Sequence, residues 1–390
     1  MTEEKMKIEK CIFSVIFLTG LIMFSILSAK STGVSLIKTY QKMLSEFTEF
    51  KNNDGNVTVS DDSVDGEATS SLIKADSVED ILENSFLEFD QDIQDNVYGH
   101  YEFIEMYGTL NRMIGKKEIN GFSYALDKDG AYDSVNFWND VHDHDYRRYS
   151  QQLLLLKDET EEHNGHFIFL GFPNKYNDEW NSGYYGIPYN GYNWQMDELL
   201  LWNRRYGIDS IDYRETMKKS GLKFNELFYK TDHHWTGYAA FLAFSELTDE
   251  LNNKFDMNLD PDGYYRNIDN YDVTWHKKMF LGSAGRNAGM SFGNLELEDF
   301  QTIIPKFSGK IKYSGKEGNY TDTVIIKDKL NYDDVYTSDP YGFYMNGIER
   351  KETIINENNP DGMKVLFIRD SFASPMIIDM IPYCSEIHSY

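Results

Sequence analysis

The sequence predicts an α/β fold in which a parallel sheet is flanked by helices, and three observations predict it. Short apolar runs alternate with longer amphipathic ones, which is the pattern of strand and helix units feeding a parallel sheet. Two of the runs, His166-Phe167-Ile168-Phe169-Leu170 and Val365-Leu366-Phe367-Ile368, are continuous enough to read as buried strands. Both end in turn residues, Gly171-Phe172-Pro173 and Arg369-Asp370-Ser371, at the carboxyl end where such sheets bind ligands.

The chain has 390 residues, 41% hydrophobic and 15% aromatic, enough for a sizeable core plus extra segments. Its net charge of -26 repels phosphate backbones and sets nucleic acid aside as a partner. There are two cysteines, Cys11 and Cys384, which are not expected to pair, so no disulfide framework holds the chain.

Taken in order, the elements begin with Lys5, Lys7 and Lys10, followed by an uncharged run at 11–29. As a helix that run spans roughly 28 Å, about one hydrocarbon core. It predicts an uncleaved transmembrane anchor over 1–30, with a short cytoplasmic tail and the bulk of the chain outside. A cleaved signal is the alternative, although Ile26 and Leu27 are large residues near the exit. Residues 31–94 read as a stalk: 31–50 can extend the helix, and 51–84 are acidic and poor in core residues. The domain is placed at 95–390. Helices are expected at 101–119, with Phe103, Ile104, Tyr107, Leu110 and Ile114 facing inward, and at 145–157, 196–206 and 238–251. Ser210-Ile211-Asp212 is expected to be a short strand. Residues 263–336, rich in Tyr, Asn, Gly and Thr, are expected to form a β-rich insertion beside the site, including a strand at Thr323-Val324-Ile325-Ile326-Lys327.

The chemistry is concentrated in Asp232-His233-His234-Trp235-Thr236. In an extended loop, residues i and i+2 face the same way, so Asp232 can orient the imidazole of His234. A histidine so held takes a proton from a serine hydroxyl, which is a poor nucleophile until deprotonated. Ser371, where the 365–368 strand turns toward a helix, is the candidate nucleophile, and its backbone N–H can donate to an oxyanion. His142-Asp143-His144-Asp145 has metal-ligand residue types but reads as a solvated helix cap, so no metal and no cofactor are expected. Lys175 follows a strand end in Pro173-Asn174-Lys175; it can face the active-site cleft, but reads most simply as a surface lysine.

The stretch Phe228-Tyr229-Lys230-Thr231-Asp232-His233-His234-Trp235-Thr236 resembles the signature of the DHHW family of bacterial extracytoplasmic proteins, which are SGNH-hydrolase-like. The likeness continues in Phe280-Leu281-Gly282-Ser283-Ala284-Gly285-Arg286 and Phe367-Ile368-Arg369-Asp370-Ser371-Phe372-Ala373. That family is similar to alginate-type polysaccharide O-acetylation proteins, in which the acid and histidine precede the serine, a permuted triad order. The resemblance implies Asp232 as orienting acid, His234 as base and Ser371 as nucleophile. His233 matches a variable position and is expected to pack or hydrogen-bond. Gly282, Ser283 and Arg286 are candidates for the oxyanion or substrate-binding donors, with a plain turn as the equal alternative for the glycine pair. It also implies further strand and helix after the serine, so that the chain ending at Tyr390 reads as incomplete.

The expected function is a membrane-anchored, extracytoplasmic serine acyl-ester enzyme, either an O-acetyltransferase or an acetylesterase. Its expected partner is a polysaccharide or acetylated glycan, of the envelope or secreted, with a membrane-bound acyltransferase as the acetyl donor. The alternative is a non-catalytic glycan-binding or assembly protein on the same scaffold.

Overall fold

The computed structural model describes residues 97–127, 130–134, 144–175 and 191–390, together with Met23, Leu27, Ser28, Gln41 and Lys42. The chain divides into two units, Met1–Phe103 and Ile104–Tyr390. In the first, the five isolated residues are helical. The expected anchor at 11–29 lies almost wholly outside the described residues, and the acidic stretch at 51–84 entirely so. No helix among the described residues is long and apolar enough to cross a membrane.

Helix α1 (His100–Met113) is shorter than the expected 101–119. Gly115 at φ 78° takes the left-handed conformation that ends a helix, and 118–119 form a strand instead. The face turned inward also differs from the expectation. Gly108 and Asn111 are buried, whereas Phe103, Tyr107, Leu110 and Ile114 are exposed. The reason is close backbone packing. A Cβ on Gly108 would stand 2.8 Å from the Ala288 carbonyl oxygen, so only glycine allows the approach. The Glu105 carboxylate then accepts the backbone N–H groups of Met290 and Ser291 at 2.7 and 2.8 Å.

A small antiparallel sheet follows, β1 (Glu118–Ile119), β2 (Tyr124–Leu126) and β3 (Tyr132–Asp133). Helix α2 (Tyr146–Glu162) is capped by the Asp145 carboxylate, which accepts from the Arg148 N–H at 3.0 Å. Strand β4 (Phe169–Gly171), helix α3 (Tyr192–Arg205) and strand β5 (Ser210–Asp212) make a parallel βαβ unit. Helix α2 packs on α3 through a buried hydrogen bond from Ser150 to Asn203 at 2.7 Å. After α4 (Tyr213–Lys219) comes the Asp232 loop, and then α5 (Gly237–Phe255), the most buried long helix of the fold.

The expected β-rich insertion is present. Strands β6 (Tyr271–Phe280) and β7 (Glu298–Pro305) pair antiparallel, with the short helix α6 (Ser283–Ala288) between them. Strands β8 (Lys310–Tyr313) and β9 (Lys316–Asn319) form a hairpin whose turn residues Ser314 and Gly315 both have positive φ, which matches strand twist. The 323–327 stretch is not a strand. Tyr320–Thr323 form a helical turn, and Ile325 makes a single bridge to Tyr344.

Strands β8 and β9 join a five-stranded sheet in the order β11-β12-β10-β8-β9, with β10 (Glu352–Asn356), β11 (Met363–Phe367) and β12 (Cys384–Ser389). Here the expected parallel sheet needs correction. Among the described residues parallel pairing is confined to β4 with β5 and β11 with β12, and the other pairs are antiparallel. Parallel neighbours need a crossover, which α3 supplies between β4 and β5 and α7 (Ala373–Met380) between β11 and β12, whereas β8 and β9 are joined by a tight hairpin. Strand β11 is also only half-buried. Phe367 faces the core while Leu366 and Ile368 are exposed. Strand β12 follows α7, so a strand does succeed the serine. Cys384, on β12, is buried and unpaired.

Candidate active site

The Asp232 loop is a tight reversal held at its base. Phe228 and Trp235 form an antiparallel bridge, and the Thr236 N–H donates to the Leu227 carbonyl at 2.7 Å. Thr236 then caps α5 by accepting the Ala239 N–H. At the tip the loop is an Asx turn, not the extended segment expected from i and i+2 spacing. The His234 backbone N–H donates to Asp232 Oδ1 at 3.0 Å. The turn brings acid and imidazole to the same side all the same.

A line of hydrogen bonds runs from there. His234 Nδ1 lies 2.5 Å from Asp232 Oδ1, and His234 Nε2 lies 2.6 Å from Ser371 Oγ. With Nδ1 donating to the carboxylate, Nε2 is left to accept the serine O–H. Ser371 sits in the turn between β11 and α7, as the sequence suggested. Trp235 ties the two halves together by donating its indole N–H to the Phe372 carbonyl at 3.1 Å.

Asp232 is buried. Burial pushes its carboxyl up. The ring and backbone N–H groups of His234, with the charges of both histidines, outweigh burial and hold it well below the usual carboxylate range. Its second oxygen accepts the Ser283 N–H at 2.7 Å.

Two side chains brace the loop from behind, and an ion pair stands on the serine side. Glu298 accepts the N–H groups of Lys230 and Thr231 at 2.6 and 2.7 Å and the Thr231 hydroxyl at 2.6 Å. Lys175, expected on the surface, is buried instead. Its ammonium donates to the carbonyls of Tyr132, Lys230 and Asp232 at 2.6, 2.8 and 2.8 Å. Burial pulls its pKa down, opposed by the charges of Asp133, Glu298, Asp232 and Asp127. On the serine side, Arg369 and Glu352 form a buried ion pair. Arg369 also donates to Ser389 and Ser374 at 2.8 Å each, and Glu352 accepts the Tyr313 hydroxyl at 2.6 Å.

The residues expected as oxyanion donors are spent elsewhere. The Gly282 N–H donates to the Thr231 hydroxyl at 3.0 Å, and the Ser283 N–H to Asp232. The Arg286 guanidinium donates to the Ser338 carbonyl. They support the loop and its surroundings. Gly282 is there for space: a Cβ would stand 2.2 Å from Asp232 Cβ. His233 is exposed and comes within 3.4 Å of the Ser283 hydroxyl, in keeping with a hydrogen-bonding residue.

Asp232, His233 and His234 bring possible metal-ligand atoms within 4.8 Å of one another. Both ring nitrogens of His234 already have partners, so the donor set favours proton transfer over coordination. His142 and Asp143 lie outside the described residues, while Asp145 is the cap of α2. Sequence reasoning missed Tyr341, whose ring stacks on His234 with centroids 3.8 Å apart and planes at 16°. Its only signal was a Pro-Tyr-Gly turn far along the chain.

Residues 147–270 match the model of a family described as an SGNH hydrolase-like domain, acetyltransferase AlgX. The match takes in Asp232 and His234 and ends before Ser371. A solved DHHW family protein from Eubacterium siraeum is 14% identical, over 68% of this chain and 83% of that one, with a TM-score of 0.47. Bacillus cereus PatB1 is 17% identical over 68% and 86%, with a TM-score of 0.49. The O-acetyltransferase domain of Pseudomonas putida AlgJ is 18% identical over 47% and 65%, with a TM-score of 0.35. No curated protein matches the chain at a significant level. The resemblance read from the Asp-His-His-Trp stretch is borne out by the family match, which gives residues 147–270 as SGNH hydrolase-like.

Proposed function

We propose that this SGNH hydrolase-like chain is a serine acyl-ester enzyme, an O-acetyltransferase or acetylesterase acting on a glycan. The single observation carrying the proposal is the hydrogen-bonded line from Asp232 through His234 to Ser371. The family description, an acetyltransferase, supports the choice of acyl group.

In the proposed reaction Ser371 Oγ attacks the acetyl carbonyl carbon as its proton passes to His234 Nε2. The Ser371 N–H, which meets no acceptor among the described residues, is the proposed donor to the resulting oxyanion. Collapse of the tetrahedral intermediate breaks the ester C–O bond. The proton on Nε2 goes to the departing alkoxide, and the acetyl group stays on the serine. A sugar hydroxyl or water then repeats the sequence in reverse, giving up its proton to Nε2. Asp232, held ionised, fixes the tautomer and balances the imidazolium. The proposal includes an extracytoplasmic setting and a membrane anchor, resting on the apolar run at 11–29, and a membrane-bound acyl donor.

The test is turnover of 4-nitrophenyl acetate and of an acetylated oligosaccharide by the full chain. Ser371→Ala should abolish both. Wild-type protein inert towards acyl esters but binding glycan would overturn the enzyme reading in favour of a binding protein.

A further inference from the structure

We infer that Tyr341 is a positioning residue for His234, acting through the face of its ring and not through its hydroxyl. The inference rests on the serine reading above. Tyr341 lies on the turn Pro340–Phe343 and is 5% exposed. Its ring covers the imidazole at 3.8 Å with planes 16° apart. Its hydroxyl is buried and has no hydrogen-bond partner among the described residues. A hydroxyl acting on substrate or on a proton would be aimed at a partner or at solvent, and this one has neither.

The turn is held as a positioning device should be. Arg286 donates to the carbonyl of Ser338 at one end. The Ile326 N–H donates to the Phe343 carbonyl at 2.9 Å at the other, and the Tyr344 hydroxyl donates to the Gln301 carbonyl at 3.1 Å. Arg286 is on α6, whose first residue, Ser283, holds the Asp232 carboxylate. One short helix thus fixes both the acid at the edge of the imidazole and the aromatic ring on its face. A tilt of the imidazole would misalign Nδ1 and Nε2 together, because Asp232 and Ser371 lie at opposite edges. The aromatic face also favours a positive charge on the imidazole, which exists only while the serine is deprotonated. Help given only in the transition state is read in kcat, not in KM.

The experiment compares Tyr341→Phe, Tyr341→Leu and Tyr341→Met in the full chain, each checked for cooperative melting. Two quantities are read: kcat and KM on 4-nitrophenyl acetate, and the rate at which an aryl sulfonyl fluoride labels Ser371, with Ser371→Ala as blank. Tyr341→Phe should keep both rates within about two-fold, since the face is retained. The ringless variants should lose about ten-fold in kcat and in labelling rate, with KM little changed. Met, close to Leu in size but flexible, serves if the Leu variant fails to fold. A Phe variant as impaired as the ringless ones would overturn the inference by assigning the work to the hydroxyl. Ringless variants with wild-type rates would overturn it too, leaving the serine reading intact. Wild-type protein neither turning over ester nor labelled at Ser371 would overturn both.

Discussion

Gly282 has no room for a side chain. An added Cβ meets Asp232 Cβ at 2.2 Å and the Thr231 carbonyl oxygen at 2.5 Å, both parts of a loop braced on three sides. Gly282→Ala should therefore lower stability by roughly 1–3 kcal/mol and displace the carboxylate from His234. Thermal melting and ester turnover read this together, and a variant indistinguishable from wild type in both would show the packing argument wrong. In the proposed reaction the acid, base and serine act as a unit. Ser371→Ala, His234→Ala and Asp232→Asn should each cut turnover by roughly a thousand-fold or more, with double variants little worse than singles. Additive losses across the doubles would mean that the three do not serve one proton path. At this scale the site was largely legible, because Asp232 and His234 are two residues apart and Ser371 follows an apolar run. Lys175 and Tyr341 were not, because their roles depend on burial and stacking against segments remote in sequence. The missed burial of Lys175 has a physical reason: three backbone carbonyls converge there, and no local pattern announces that.

Helix α7 follows the serine turn and carries Asp379 in a buried position, with no hydrogen bond or ion pair among the described residues. Burial alone raises its pKa well above the ordinary carboxylate value. A carboxyl with a raised folded pKa contributes stability below its unfolded pKa and loses it as pH rises through the folded one. Asp379→Asn should therefore raise the melting temperature at pH 7, with the gain shrinking toward pH 4. A lower melting temperature at pH 7 would mean that the carboxylate has a partner worth keeping. Asp232 has the opposite sign. Its depressed pKa supplies stability that is complete above the ordinary carboxylate range and lost only as pH falls well below it. Elements such as α7 and β5 were legible from apolar period and turn residues. Helix α1 was misread because period alone cannot say which face finds a partner. Tyr107 and Leu110 satisfy the amphipathic pattern, yet Gly108 and Glu105 make the contacts. The sheet was misread because apolar runs announce strands and not their direction, and the hairpin turn at Ser314 and Gly315 decides that for β8 and β9.

The whole molecule carries a net charge of -26, and any glycan must approach through that field. At low salt an acetylated neutral oligosaccharide should be turned over with a higher kcat/KM than an acidic one of equal length. The gap should narrow as ionic strength shortens the screening length to about 8 Å at 0.15 M. A preference for the acidic substrate at low salt would point to a local basic groove that outweighs the overall field. The composition foretold this property directly, whereas the way the halves of the site meet was beyond it. The bond between His234 and Ser371 joins positions 137 residues apart, and between them lie α5, the β6–β7 pair and most of the five-stranded sheet. So long a closure is entropically late, and contacts of this range set the pace of folding. On the proposed function, ester turnover is then a clock for the last event of assembly. In refolding from denaturant, helical signal should return first, and activity only with the slowest phase.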